Sequence, residues 1–300
     1  MRVAVTGAGG FVGGHTASYL QDKDWHVVAV IRARRSDTAR LLKDMEILEC
    51  DLVQPFKFSG KLDVLVHCAA EIPARCPDAD TLFERNVLAT RHVFEAALEA
   101  GVTRIIFCSS MSAFGTIMVE EVYPDTEICA PDAYGRSKLA SEALLEDVTH
   151  SLPELAAISL RLPGVVGAGS HDNFLSGAAA NMLSGNPITV RNPFSPFNNI
   201  LPVSNLFGYI DHLGHTLPSG YRNVTLAASQ PAPFIDVINE IQRGAGTNVP
   251  IHFGEDQHSF LVSSSAAVEL GYQPPDTLAA ARHFGQAARE NHLCELRQNS

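Results

Sequence analysis

Tyr134 and Lys138 are the residues whose types and spacing point most directly to chemistry. They stand four positions apart, so on a helix both side chains lie on one face. A cation beside a phenol lowers the pKa of the phenol from its ordinary value near ~10. The pair therefore predicts a tyrosine that gives or takes a proton at cellular pH, as an alcohol/ketone redox site requires.

A glycine-rich turn near the N-terminus offers the hydride carrier for such a site. A hydrophobic strand over 2–5 precedes Gly7, Gly10 and Gly13, and a helix is predicted from Phe11 onward. Gly7 permits the sharp turn, Gly10 lets the backbone approach a pyrophosphate, and Gly13 permits close packing of helix on strand. The free N–H groups at the helix start favour an anion. The alternative is a glycine-rich turn without a ligand.

The end of the second predicted strand bears on the choice of cofactor. An NAD-binding unit usually has an acid there, whereas this chain has Arg32, followed by Arg34 and Arg35. Because a guanidinium suits a 2′-phosphate, NADP is the preferred cofactor. NAD is the alternative if these arginines form a solvated loop. Asp51 and Leu52 are expected to border the adenine, although Asp51 could be a turn residue.

Composition excludes several classes of function. The chain has 300 residues, a formal net charge of -11 and 46% hydrophobic residues. This charge gives no electrostatic support for binding nucleic acid or an anionic membrane. The six cysteines include no C-x-x-C pair, which indicates a reduced, cytoplasmic protein. We expect no export signal and no membrane span, and the scattered histidines predict no metal site.

The order of the predicted elements indicates an α/β fold. Apolar strands alternate with amphipathic helices over 1–162, and their near-continuous hydrophobicity predicts a Rossmann-type, doubly wound parallel sheet. Over 163–300, prolines and glycines interrupt the alternation, which predicts a smaller, mixed substrate lobe. A strand near 223–227 is expected to return to the main sheet.

The chain resembles the extended short-chain dehydrogenase/reductase family over essentially its whole length. The residues that carry this resemblance are Thr6-Gly7-x-x-Gly10-x-x-Gly13, His67-Cys68-Ala69-Ala70, Asn86, Ser109-Ser110 through Phe114-Gly115, and Tyr134-x-x-x-Lys138. The resemblance implies that Tyr134 is the acid/base, that Lys138 lowers its pKa and holds the nicotinamide ribose, and that Ser110 polarises the reacting oxygen. It also implies further contacts with the cofactor by Phe11, Val12, Ala69, Ala70, Asn86, Pro163 and Val166.

Two departures from the family pattern limit the reaction. Family dehydratases carry an Asp-Glu pair where this chain has Met111 and Ser112, so elimination is disfavoured and Ser112 is expected beside the substrate. Gly164 stands where many nucleotide-sugar epimerases have an Asn that touches substrate phosphate, which weakens an exact epimerase assignment. The stretches 171–175, 185–187 and 198–206 are similar to the substrate lobe of nucleotide-sugar 4-epimerases and 4-ketoreductases. Asn173 is therefore predicted to bind substrate, unless it only caps a helix. Arg191 is the best placed cation for a diphosphate, unless it is a simple loop charge.

These observations predict an NAD(P)-dependent oxidoreductase that acts on a nucleotide-linked sugar, by 4-keto reduction or 4-epimerisation. A reductase of a nonsugar ketone is one alternative, which an apolar pocket around Phe174, Phe194 and Phe197 would favour. A noncatalytic NADP-sensing protein is another, but binding alone does not need the Ser110, Tyr134 and Lys138 set. The resemblance also implies a homodimer, formed through helices 81–100 and 134–148.

Overall fold

The structure is a computed structural model, and it describes residues 1–33, 42–76 and 78–298. Short runs rich in β-branched residues form the strands. The strands are β1 Arg2–Thr6, β2 His26–Ile31, β3 Glu46–Glu49, β4 Val64–His67, β5 Arg104–Ser110, β6 Glu121–Val122, β7 Ala156–Leu162, β8 Gly164–Val166, β9 Ile188–Val190, β10 Pro196–Phe197, β11 Ile200–Pro202, β12 Gly220–Thr225, β13 Ala232–Pro233, β14 Ile251–Phe253 and β15 Leu261–Val262.

Side-chain caps mark where several helices begin. Asp78 accepts a hydrogen bond from the Thr81 N–H, and Asp132 accepts one from the Gly135 N–H. The described residues form the helices α1 Phe11–Asp22, α2 Ala79–Glu99, α3 Ala133–Ser151, α4 Phe174–Leu183, α5 Val203–Thr216, α6 Phe234–Ala245, α7 Ser265–Glu269 and α8 Thr277–Gln298, and a 3-10 turn at Met111–Phe114.

The main sheet has seven strands in the order β12-β7-β5-β4-β1-β2-β3. Strand β1 pairs in parallel with β2 and β4, and β4 pairs in parallel with β5. The register sets Thr6 opposite His67, and His67 opposite Phe107. The carboxyl ends of β1, β4 and β5 therefore lie side by side, at the edge where open α/β sheets bind ligands. The predicted Rossmann-type fold is confirmed.

The chain divides into two compact units. The first contains 1–116, 126–161 and 207–224, and the second contains 117–125, 162–206 and 225–300. The sequence analysis places one boundary after Leu162 and one returning strand near 223–227. In the structure, β12 returns to the sheet beside β7, preceded by most of α5. The segment 117–125 joins the second unit, where β6 pairs with β15.

Each unit has its own apolar core. In the first unit, buried residues of the sheet such as Ala4, Leu65 and Ile105 pack with Phe94 of α2 and Leu145 of α3. In the second unit, residues of α4, α6 and α8 form the core with β9 and β11. Full burial of a large aliphatic side chain stabilises a fold by about 1.5–3 kcal/mol, so these cores hold the strand ends in fixed positions.

Within 1–33, 42–76 and 78–298, the structure contains no helix long and apolar enough to cross a membrane. Arg34 and Arg35, which follow Arg32 and were predicted with it to favour NADP, lie outside the described residues.

Candidate cofactor-binding and catalytic site

The glycine turn joins β1 to α1 and packs against the end of β4. Gly7 has φ +69°, and a Cβ there would lie 2.8 Å from the Ala69 backbone nitrogen. A Cβ on Gly13 would overlap the Gly7 carbonyl oxygen. Gly10 precedes the first residue of α1, and its N–H donates to the Gly7 carbonyl at 2.8 Å. Larger residues at positions 7 and 13 would therefore force this turn apart.

A cavity of ≈ 460 Å³ lies beside this turn in the first unit. It has the glycine turn and the N-terminus of a helix on one side, which together suit a pyrophosphate. Eight predicted cofactor residues line it: Gly7, Gly10, Arg32, Asp51, Leu52, Ala69, Ala70 and Asn86. The residues present thus fit a dinucleotide. Phe11 and Val12 are the first two residues of α1.

Charged side chains surround the part of the cavity that Arg32 lines. The Arg32 guanidinium donates to the Glu71 carboxylate at 2.5 Å. Arg85 lies 3.6 Å from the same Glu71 oxygen and 3.9 Å from Asp51. Glu71 was not identified from the sequence, because its pairing with Arg32 joins residues 39 positions apart. The positive charge of Arg32 is therefore already paired with the Glu71 carboxylate when a ligand enters the cavity.

Asn86 of α2 holds the backbone of residue 71 through both of its polar atoms. Its Oδ1 accepts the Glu71 N–H at 2.7 Å, and its Nδ2 donates to the Glu71 carbonyl at 3.0 Å. Nδ2 also lies 3.1 Å from Ser137 Oγ in α3. Asn86 lines the cavity but is only 6% exposed. Its amide therefore positions the cavity wall and connects it to α3.

His67 connects the glycine turn to α2 inside the core. Its Nδ1 lies 2.6 Å from Thr6 Oγ1, and its Nε2 lies 3.0 Å from Thr90 Oγ1. Thr6 Oγ1 also accepts the Ala69 N–H at 3.3 Å. Burial, with a smaller effect of the Lys138 cation, lowers the pKa of His67 to about 3. The imidazole is therefore neutral at cellular pH.

Tyr134 and Lys138 lie on α3, as their spacing predicts. Lys138 Nζ is 5.6 Å from the centroid of the Tyr134 ring and donates to the Cys108 carbonyl at 2.8 Å. Lys138 is 4% exposed, whereas Tyr134 is partly exposed. The ammonium is thus held between α3 and the end of β5, close to the phenol ring.

The two serines that end β5 have different surroundings. Ser109 is buried, and its hydroxyl donates to Glu142 at 2.5 Å. Ser110 is partly exposed; its Oγ accepts the Ser112 N–H at 3.1 Å and lies 3.2 Å from Ser112 Oγ. Of the two serines, Ser110 is therefore the one whose hydroxyl can reach a substrate.

The 3-10 turn after Ser110 is packed directly against α3. A Cβ on Gly135 would overlap the carbonyl oxygen of Ser112. Gly135 follows Tyr134 in sequence, so this close approach fixes the backbone that carries Tyr134 relative to the turn after Ser110. Gly135 could not be identified from the sequence, because only the three-dimensional contact reveals its role.

A buried ion pair supports the other side of α3. The Arg161 guanidinium donates to the Glu142 carboxylate, with Nη2 at 2.7 Å, and both side chains are 6% exposed. Glu142 also faces Asn223 Nδ2 at 3.3 Å, and the Arg161 guanidinium stacks 4.5 Å from the centroid of the Phe114 ring. Glu142 stands one helical turn after Lys138, which is the only signal that could have identified it.

The remaining predicted residues lie in the second unit. Asn173 caps α4: its Oδ1 accepts the Ser176 N–H at 2.9 Å, and its Nδ2 donates to the Val165 carbonyl at 3.1 Å. The capping role considered for Asn173 is thus present. Arg191 is exposed and follows β9 directly. Pro163 lies between β7 and β8, and Val166 is buried in β8.

A sheet of this order, a glycine turn after its first strand and a Tyr-Lys pair on a later helix define a dinucleotide-binding enzyme of the short-chain dehydrogenase/reductase type. The chain matches the model of the NAD dependent epimerase/dehydratase family over residues 3–197, and it belongs to that family. The family resemblance found in the sequence is thereby confirmed.

Individual relatives are distant in sequence. A UDP-glucose 4-epimerase of Yersinia enterocolitica is 24% identical over 93% of this chain and 94% of its own length. A UDP-glucose 4-epimerase from Bifidobacterium longum in complex with NAD+ and UDP is similar in structure, with a TM-score of 0.79, 18% identity and coverage of 99% of both chains. A UDP-N-acetylglucosamine 4-epimerase from Methanobrevibacter ruminantium has a TM-score of 0.81, 17% identity and coverage of 98% of both chains.

Proposed function

We propose that this protein is an NAD-dependent epimerase that inverts C4 of a nucleotide-linked sugar. The observation that carries the proposal is the conjunction, in one unit, of a cavity that fits a dinucleotide with Ser110, Tyr134 and Lys138. The relatives named as 4-epimerases match over almost the full chain, which supports C4 as the reacting carbon.

Tyr134, Ser110 and Lys138 have different roles in the proposed reaction. NAD held in the cavity lined by the glycine turn would supply the hydride acceptor and donor for C4. Tyr134 removes the proton of the C4 hydroxyl at its phenolic oxygen and gives a proton back when the hydroxyl is restored. Ser110 orients the reacting oxygen through its hydroxyl. Lys138, with one N–H bond to the Cys108 carbonyl, has further donors for a ribose hydroxyl and the phenol.

Cofactor choice depends on the charge around Arg32. A guanidinium alone favours a 2′-phosphate, which is why the sequence predicts NADP. The Glu71 carboxylate, 2.5 Å from Arg32, offsets that attraction and adds repulsion toward a phosphate. We therefore propose NAD as the working cofactor, with Glu71 as the residue that limits the binding of NADP.

Arg191 and Asn173, which the sequence predicts to bind substrate, belong to the second unit. Arg191 is exposed and carries a permanent positive charge, which suits the diphosphate of a nucleotide sugar. Asn173 already satisfies Ser176 and Val165, so its contribution to substrate binding is the position of α4 and of the free N–H groups at its start.

Turnover of UDP-sugars tests the proposal directly. The full chain with NAD is incubated with UDP-glucose, UDP-galactose and UDP-N-acetylglucosamine, and proton NMR follows the appearance of the C4 epimer. The expected result is interconversion without net change in reduced nicotinamide. The Tyr134→Phe variant should bind NAD normally and lose turnover, whereas Tyr123→Phe, at an exposed site, should behave as wild type.

The ketoreductase and the noncatalytic sensor give different results. A ketoreductase leaves the sugars above unchanged and consumes NADPH or NADH when a UDP-4-keto-sugar is supplied. A sensor binds cofactor, turns over no substrate and is unaffected by Tyr134→Phe. The homodimer stays a prediction. Analytical ultracentrifugation of the full chain measures the oligomeric state and tests it.

A further inference from the structure

Two cysteines face each other at the carboxyl ends of β4 and β5. Cys68 Sγ lies 3.4 Å from Cys108 Sγ. Each residue follows the last paired positions of its strand, His67 and Phe107, so the two occupy opposite positions on neighbouring strands. Neighbouring strands lie about 4.8 Å apart, which is within the Cα separation of roughly 4.4–6.8 Å that a disulfide bridges. The general spacing of neighbouring strands is therefore compatible with a cross-link between them.

The pair is reachable from the cofactor cavity. Cys68 lines that cavity and is partly exposed, whereas Cys108 is buried behind it. The hydrogen bond from the Cys68 thiol, aided by the Lys138 ammonium, lowers the pKa of Cys108 against the effect of burial. The same hydrogen bond and burial raise the pKa of Cys68. A small reagent in the cavity thus meets Cys68 first, and Cys108, whose sulfur lies 3.4 Å away, is placed to react second.

We propose that Cys68 and Cys108 are a redox modification site: a hydroperoxide entering the cofactor cavity oxidises them to a disulfide, and a bound dinucleotide prevents this. The site lies beyond the epimerase function and requires no turnover. Its ligand class is a small peroxide when the cavity is open. Cofactor occupancy therefore decides whether the thiols are exposed to oxidant.

The chemistry balances in two steps. Cys68 sulfur attacks the terminal peroxide oxygen: an S–O bond forms, the O–O bond breaks, and the departing oxygen takes up the proton that the Cys68 thiol loses. Cys108 sulfur then attacks Cys68 sulfur, so that the S–S bond forms and the S–O bond breaks. The hydroxide leaves as water with the Cys108 proton. Two thiols lose two electrons and two protons in total, and hydrogen peroxide is reduced to two waters.

Two other cysteines provide an internal comparison. Cys50 and Cys76 line the same cavity, so a peroxide that enters it reaches them as well. Cys76 Sγ faces the Asp78 carbonyl at 3.7 Å rather than a second sulfur. Access without a nearby thiol should give no disulfide at these positions. The exposed Cys129 and Cys294 can be replaced by serine to remove cross-links between molecules.

The experiment treats the full-length Cys129→Ser/Cys294→Ser chain with hydrogen peroxide, after bound nucleotide is removed and circular dichroism verifies the fold. We expect intact mass to fall by two hydrogens and peptide mapping to give one Cys68–Cys108 linked peptide, which a thiol reductant reverses. NAD at about 100 times its Kd should slow the reaction about 100-fold, because only the open fraction reacts.

Three outcomes would overturn the proposal. The first is a chain that keeps its full mass, or gains oxygen without forming a cross-link. The second is a disulfide that includes Cys50 or Cys76 instead. The third is a rate of Cys68–Cys108 oxidation that saturating NAD does not change. A Cys108→Ala variant that folds should show no mass loss of two hydrogens. If that variant does not fold, the peptide map of the Cys129→Ser/Cys294→Ser chain decides whether Cys68 and Cys108 are linked.

Discussion

Replacing Gly135 by alanine should separate catalysis from cofactor binding. The added Cβ would stand about 1.4 Å short of the 3.4 Å at which ordinary van der Waals contact with the Ser112 carbonyl begins. Either α3 or the turn that follows Ser110 must move by this amount. Since a displacement of about 1 Å of reacting groups can reduce a rate about 100-fold, we expect kcat to fall at least 100-fold. Overpacking should also cost about 1–3 kcal/mol of unfolding free energy.

Two other helical glycines provide matched controls. Gly208, in α5 of the same unit, has nothing within 4 Å of an added Cβ. Gly208→Ala should therefore stabilise the protein by about 0.5–1 kcal/mol and leave kcat unchanged. Gly244 of α6, in the second unit, would place its Cβ against the Arg282 carbonyl. Gly244→Ala should lower stability without the specific loss of kcat.

The assay compares epimer formation, NAD binding and thermal unfolding across the three variants. The expected pattern is a loss of kcat confined to Gly135→Ala, with NAD still bound. The reasoning is refuted if Gly135→Ala turns over like the wild type, or if Gly244→Ala loses kcat to the same extent at temperatures where both variants are folded.

Three further predictions follow from the described contacts. Glu71→Gln should raise the NADP/NAD affinity ratio about tenfold, or ~1.4 kcal/mol, because Arg32 loses its competing carboxylate; titration with both cofactors measures the ratio. Glu142→Gln should lower the unfolding free energy by about 3–5 kcal/mol, because it removes one partner of a buried ion pair. Glu146→Gln, on the exposed face of the same helix, should change the unfolding free energy by less than about 0.5 kcal/mol. Urea unfolding measures both values. The pKa of His67 is about 3 in the folded state and about 6.5 in the unfolded state, so between these pH values the folded state binds fewer protons. The unfolding free energy therefore falls as the pH decreases, by about 3 kcal/mol from pH 6.5 to 4. His67→Asn should remove this loss from the pH dependence of urea unfolding.

Each of these predictions has an opposing result. An unchanged cofactor ratio in Glu71→Gln means that Arg32 does not contact the 2′ position of the ribose. Equal stability losses in Glu142→Gln and Glu146→Gln mean that the buried pair contributes no more than a surface charge. An unaltered pH dependence in His67→Asn assigns the acid sensitivity to other groups.

The fold could be predicted because its signals are local. Strands buried on both faces read as continuous apolar runs, and the glycine turn follows the first of them directly. Tyr134 and Lys138 could be identified for the same reason, since helical spacing alone puts them on one face. The assignment of segment 117–125 to the second unit had no such signal, because it depends on β6 pairing with β15 about 140 residues later in the chain.

Pairings across the sheet explain most of what the sequence could not provide. Arg32 suggested a free cation, but its partner Glu71 comes from the loop after a different strand. The spacing of Cys68 and Cys108 in the sequence gives no sign that they meet, and only the register of β4 with β5 brings their sulfurs together. A polar residue in a loop or on a strand end takes its role from its neighbours in space, which motif spacing does not encode.

The two hydrogen bonds from Asn86 to the backbone of residue 71 bear on which substitutions this enzyme can accept there. The amide holds the main-chain N–H and carbonyl there, and makes no use of the carboxylate. Any amino acid with a main-chain N–H can be held in the same way, so this side chain can be replaced while the loop stays anchored. Under the role proposed for Glu71, cofactor preference could be exchanged at this one position with Ser110, Tyr134 and Lys138 left in place.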